Sequence, residues 1–86
     1  MTEENSFTPD GPKPIIFTEH TEIRMRERSI PRANVEAAIR DPDILMPGNE
    51  PDTIRAHKDF PDGDGIKVIY LDAPAYMLVI TVARRD

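Results

Sequence analysis

The apolar pattern of this chain changes period at Asp41-Pro42, from the three-to-four spacing of helices to the alternation of strands. Proline disfavours helical backbone in the residue before it, so the dipeptide is also a stop signal. Helices on one side of such a boundary and strands on the other point to the α+β class.

Upstream of the boundary, Thr18 is placed to cap a helix running from about Glu19 to Arg28, its hydroxyl accepting from the next turn while Glu19 complements the positive helix end. At 100° per residue, Ile23 and Ile30 fall on one side of that helix and Met25 on another, while His20, Arg24 and Arg28 line up at spacings of four. A second helix is expected over Arg32 to Arg40, with Pro31 supplying a backbone angle suited to a first turn and Val35, Ala38 and Ile39 facing the core. Ahead of both, "PIIFT" is a short β-prone piece that suits an edge strand or a lead-in.

Downstream, "DILM" is a short candidate strand and "PGNEPD" a loop. In "TIRAHKDF", Ile54, Ala56, Lys58 and Phe60 alternate with Arg55, His57 and Asp59. "PDGDG" is a strong turn signal, and it leads into "IKVIYL" and then, past "DAPA", into "YMLVITVARR". These pieces predict an antiparallel sheet of three to four strands with the two helices covering one face. The domain expected is residues 14–86, preceded by a flexible proline-rich tail over residues 1–13.

A chain of 86 residues has sequence for one hydrophobic core. A core this small gains from a partner or a second copy, so a homodimer is one expected state. There is no cysteine, hence no disulfide framework and no thiolate site, and the expected compartment is the cytoplasm. The opening "MTEENSFTPDGPKP" reads as neither a signal peptide nor an anchor, and no apolar run approaches the length of a membrane span.

Charge is segregated within a formal net of −5. Asp41 to Asp64 holds Asp41, Asp43, Glu50, Asp52, Asp59, Asp62 and Asp64 against Arg55 and Lys58. Arg24 to Arg40 instead holds Arg24, Arg26, Arg28, Arg32 and Arg40 against Glu27 and Glu36. An acidic total argues against broad nucleic-acid binding driven by the overall field, but not against a local cationic site.

Several chemistries find no pattern to carry them. The histidines, His20 and His57, are far apart in the chain with no metal-ligand spacing, so neither a metal nor another cofactor is expected. Asp62 and Asp64 read as turn residues rather than a calcium loop. Neither Ser6 nor Ser29 sits in a nucleophile elbow. Tyr70 reads as a core ring, Thr81 as a strand former, and Arg84 and Arg85 fall on opposite faces of the last strand. What survives is the stripe His20, Arg24, Arg28, with Arg55, His57 and Lys67 on strands expected nearby. Planar guanidinium forks suit phosphate or carboxylate oxygens, and a histidine beside them can move a proton. The plainer reading makes the arginines a solvated helix face with weak i,i+4 contacts.

The stretch "FTEHTEIRMRERSIPRANVEAAIRDPD" resembles the opening of a bacterial family known as domain of unknown function 4258. That family's pattern is a histidine early in helix one, an arginine-bearing turn, a short second helix and a proline-aspartate exit. "IRAHKDF", "IKVIYL" and "YMLVITVARR" are similar to its three-strand ending, and Ser29 and Pro31 stand where the family usually has glycine and a serine-like cap. The family in turn resembles the RelE and BrnT toxins, small ribonucleases of toxin-antitoxin pairs. The resemblance implies a RelE-like fold and a metal-independent ribonuclease, with RNA as substrate and an antitoxin-like protein as partner. It implies catalytic roles for His20, Arg55 and Thr81 and substrate binding by Arg24, Arg28 and Lys67. The alternative it leaves is a non-catalytic protein-interaction module of the same fold.

Overall fold

The structure is a computed structural model, and it describes residues 13–61 and 63–85. In chain order the elements are β1 (Ile15–Phe17), α1 (Glu19–Glu27), α2 (Arg32–Arg40), β2 (Ile44–Pro47), β3 (Thr53–Asp59), β4 (Gly65–Asp72) and β5 (Met77–Arg84). The fold is α+β, as the change of period requires.

The sheet corrects the expectation in two respects. It has five strands, in the order β1-β5-β4-β3-β2, rather than three to four. It is also mixed, because β1 runs parallel to β5 while the other neighbours are antiparallel. Alternation in a short segment marks a strand but not its partner. Both helices intervene between β1 and the rest of the sheet, and the chain returns to β1 only with its last strand. Of the expected tail, residues 1–12 lie outside the described residues. Lys13 is held in place, its ammonium pairing with the Asp72 carboxylate and donating to the Ala73 carbonyl at 2.7 Å.

Local signals account for the helix ends. Thr18 caps α1 by accepting from the Thr21 N–H at 3.1 Å. At the other end the Ile30 N–H donates to the Met25 carbonyl and the Ser29 N–H to the Arg26 carbonyl, a Schellman motif that requires a left-handed residue at position 29. Ser29 meets that need with φ 55°, at the position where the resembled family carries glycine. The side chain of Arg84 completes this end, donating to the carbonyls of Arg28 and Ser29 at 2.9 Å each. After α2, the Lys58 ammonium donates to the Asp41 carbonyl at 2.9 Å, placing a cation at a negative helix end.

The core lies between the helices and one sheet face. Val35, Ala38 and Ile39 of α2 pack over Ala56, Ile66, Val68 and Tyr70, while Met25 of α1 and Ile30 close the side toward Val79 and Val82. Helix α1 turns Thr21 and Met25 inward, whereas Ile23 is 38% exposed. With so few apolar residues in α1, the threonine completes its buried face. Among the described residues, no helix is long and apolar enough to cross a membrane.

Replacing Ser29 by glycine removes the cost of left-handed backbone at a side-chain-bearing residue, about 1–2 kcal/mol, less what glycine loses in unfolded-state entropy. We expect Ser29→Gly to stabilise the protein by about 0.5–1 kcal/mol, read as a melting temperature higher by about 2–6 °C. An unchanged or lower melting temperature would show that the helix junction is not strained.

Candidate active site between α1 and β5

Strand β1 accompanies β5 only as far as Val79. From Ile80 to Arg84 the outer edge of β5 borders no strand among the described residues, and helix α1 lies along it. The Thr21 hydroxyl, buried and 1% exposed, donates to the Val79 carbonyl at 3.1 Å and approaches that of Ile80 at 3.3 Å. One turn past Arg24, the Arg28 guanidinium donates to the Val82 carbonyl at 3.1 Å. Helix side chains thus satisfy carbonyls that a further strand would otherwise meet.

A β-bulge shapes the same place. Thr81 stands opposite Ile69 and Val79 opposite Tyr70, so Ile80 is an extra residue on β5. Between the bulge and the helix lies a pocket of about 220 Å³, lined by His20, Thr21, Arg24, Arg28, Ile80, Thr81 and Val82. The i,i+4 stripe of α1 is its cationic wall, and β5 forms the wall opposite. Arg28 has spent one donor on the sheet. Arg24 pairs with no carboxylate among the described residues, while Arg32 is drawn off to Glu22 at 2.6 Å and to the Phe17 ring. An oxyanion entering here would meet two guanidinium groups, and His20 stands in the first turn of the same helix.

The expected single cluster is therefore two. His20, Arg24, Arg28 and Thr81 line the pocket, but Arg55 and Lys67 do not. Ala56 and Val68 face the helices, so by alternation Arg55, His57 and Lys67 occupy the opposite, helix-free face. A catalytic Arg55 beside His20, as the resemblance implies, is incompatible with this register. The parity of β3 carried that information, since Arg55 and Ala56 cannot share a face, but which face receives the helices is set by tertiary contacts.

On the helix-free face, His57 stands directly across from Lys67, two residues from Arg55 and close to Arg85. Gly65 has no side chain, and the Asp59 carboxylate crosses above it to bond Arg85 at 2.9 Å. Both ring nitrogens of His57 and Nε of Arg55 are shut off from solvent without a hydrogen-bond partner. Burial pushes the His57 imidazole below its ordinary pKa, with Arg85, Arg55 and Lys67 adding to the effect and Asp59 opposing it. On the core side, Tyr70 is raised by burial first and by Asp72 second, in keeping with a structural ring.

Thr21 is the pocket residue that the helical stripe did not reveal. Its signal was faint: a threonine three residues after the capping Thr18, on a helix with too little apolar residue to bury. A shallow apolar depression beside β2, lined by Leu45, Met46, Pro47, Thr53 and Ile54, also had no motif to announce it. No family model matches the chain, and no curated protein or solved structure matches it.

The two pocket arginines differ in what they do for the fold. Arg28→Ala leaves the Val82 carbonyl without its partner and is expected to cost about 1–2 kcal/mol. Arg24→Ala should change stability by no more than about 0.5 kcal/mol. Urea unfolding midpoints measure both, and equal losses would contradict this division of roles.

Proposed function

We propose that this protein is a toxin-like small domain that binds the phosphodiester backbone of single-stranded RNA in the α1/β5 pocket. The observation that carries this reading is Arg24, a guanidinium with no carboxylate partner among the described residues, set between His20 and Arg28 on one wall of a pocket. Guanidinium forks match phosphate oxygens and stay charged, so Arg24 would take the phosphate bidentately while Arg28, anchored on Val82, adds charge beside it.

Metal-independent cleavage follows from the same placement. His20 takes the proton of the ribose 2′-hydroxyl, whose oxygen attacks phosphorus. The 5′-oxygen leaves and takes a proton back from the imidazolium, giving a cyclic phosphate and a free 5′-hydroxyl. Arg24 faces the charge that grows on the non-bridging oxygens. Arg55 and Lys67 have no part in this step.

A second reading is a non-catalytic interaction module of the same fold, in which the stripe of His20, Arg24 and Arg28 takes an acidic segment of a partner protein through its carboxylates.

Fluorescence anisotropy with a short labelled oligoribonucleotide tests the leading reading. Two phosphate contacts give a salt dependence of log K with slope of about −1.4. Arg24→Ala is expected to weaken binding by about tenfold, the loss of one charge-assisted contact. His20→Ala should keep the affinity and abolish cleavage that persists in EDTA. Affinity indifferent to Arg24→Ala would overturn the assignment, and RNA indifference combined with a stable protein complex would favour the module.

A further inference from the structure

A sheet with one solvated face alternates apolar and polar residues along its strands, and the helix-free face here breaks that rule. In β4, Ile66, Val68 and Tyr70 face the helices, yet Ile69 and Leu71 on the opposite parity are apolar as well. Register carries the apolar set across the sheet. Leu78 of β5 stands opposite Leu71 and beside Ile16 of β1, while Met46 and Ile44 of β2 stand opposite Arg55 and His57. Ile16 is 45% exposed and Ile44 42%, and both helices lie on the other face. Strands that are apolar on both parities are the pattern of a sheet covered on both sides.

We propose that, independently of RNA, this face is the interface of a homodimer in which two copies pack sheet on sheet about a two-fold axis running across the strands. Charge divides the face along the strand direction. Toward the β3–β4 turn lie Arg55 and Lys67, and the acids of that end are already engaged: Asp59 by Arg85 at 2.9 Å, Asp64 by Arg84 at 3.4 Å, Asp41 by Lys58 at 3.3 Å and Asp43 by the Asp59 N–H. At the other end the β2–β3 turn carries Glu50 and Asp52, exposed and with no cation partner among the described residues. The axis reverses strand direction, so Arg55 and Lys67 of one copy lie over the Glu50 and Asp52 turn of the other, and Ile69, Leu71 and Leu78 of both copies meet between them. One surface thus supplies both halves of the complementarity. Size agrees, since strand spacing and rise give a face of about 19 by 25 Å, roughly 500 Å² a copy and about 1,000 Å² in all, where specific interfaces begin.

Sedimentation of the full chain over a rising concentration series tests this. The average mass is expected to climb toward that of two chains. Leu71→Arg should hold it at one chain throughout, with circular dichroism showing the fold intact. Charge reversal separates this interface from unspecific apolar association, and it decides alone where Leu71→Arg fails to fold. Because a two-fold makes each contact twice, Lys67→Glu and Glu50→Lys are each expected to raise the dimer dissociation constant about tenfold, and together to return it to within about threefold of the unsubstituted chain. A dimer that persists in folded Leu71→Arg, or a double reversal that dimerises no better than either single one, would overturn the proposal. So would a chain that stays single at every concentration, and if its Ile69 and Leu71 resonances then shift with a short acidic peptide, a different protein is the occupant.

Discussion

The contact between α1 and the outer edge of β5 decides what this molecule can present to a ligand. A strand that loses its neighbour midway exposes carbonyls that need partners, and β5 loses β1 after Val79. Here Thr21 and Arg28 supply the partners from a helix, and Arg84 returns the bond by capping the end of that helix. The helix is thereby held at a fixed distance and rotation, which turns a sequence stripe of His20, Arg24 and Arg28 into the wall of a pocket. Packing alone would hold α1 loosely, because Met25 is its one buried apolar residue.

The bulge at Ile80 matters for the same reason. It breaks the parity of β5, so that Val79 and Val82 both reach the core while Ile80 and Thr81 sit beside the pocket. A regular strand would have to expose one of those two valines. The site and the core are therefore linked through one irregular residue.

Much of this was legible in the residues. Asp41-Pro42 marks the end of the helices, Thr18 caps α1, Pro31 precedes α2, and Gly63 takes a positive φ of 95° in the turn foreseen at "PDGDG". Spacing alone placed His20, Arg24 and Arg28 on one helix face, because helical geometry is local. What failed was everything that depends on which elements meet. The partner of β1 lies some sixty residues away in sequence, and no local pattern encodes it. Arg55 and Lys67 were grouped with the helix arginines on charge, yet the sheet stands between them. Ile23, set with Ile30 on one side of α1 by helical spacing, stays 38% exposed, while Thr21 is buried with its hydroxyl on the Val79 carbonyl.

Two cationic groups on opposite faces also give the charge distribution a physical meaning. A net of −5 with local positive sites favours ligands that fit a site over ligands drawn by the field of the whole molecule. The most direct test of the central claim is an amide NMR titration with a short oligoribonucleotide. The account predicts saturable shifts at His20, Arg24, Arg28 and Ile80 to Val82, with Arg55, His57 and Lys67 unmoved. Shifts centred on the helix-free face, or none at the α1/β5 pocket, would contradict it.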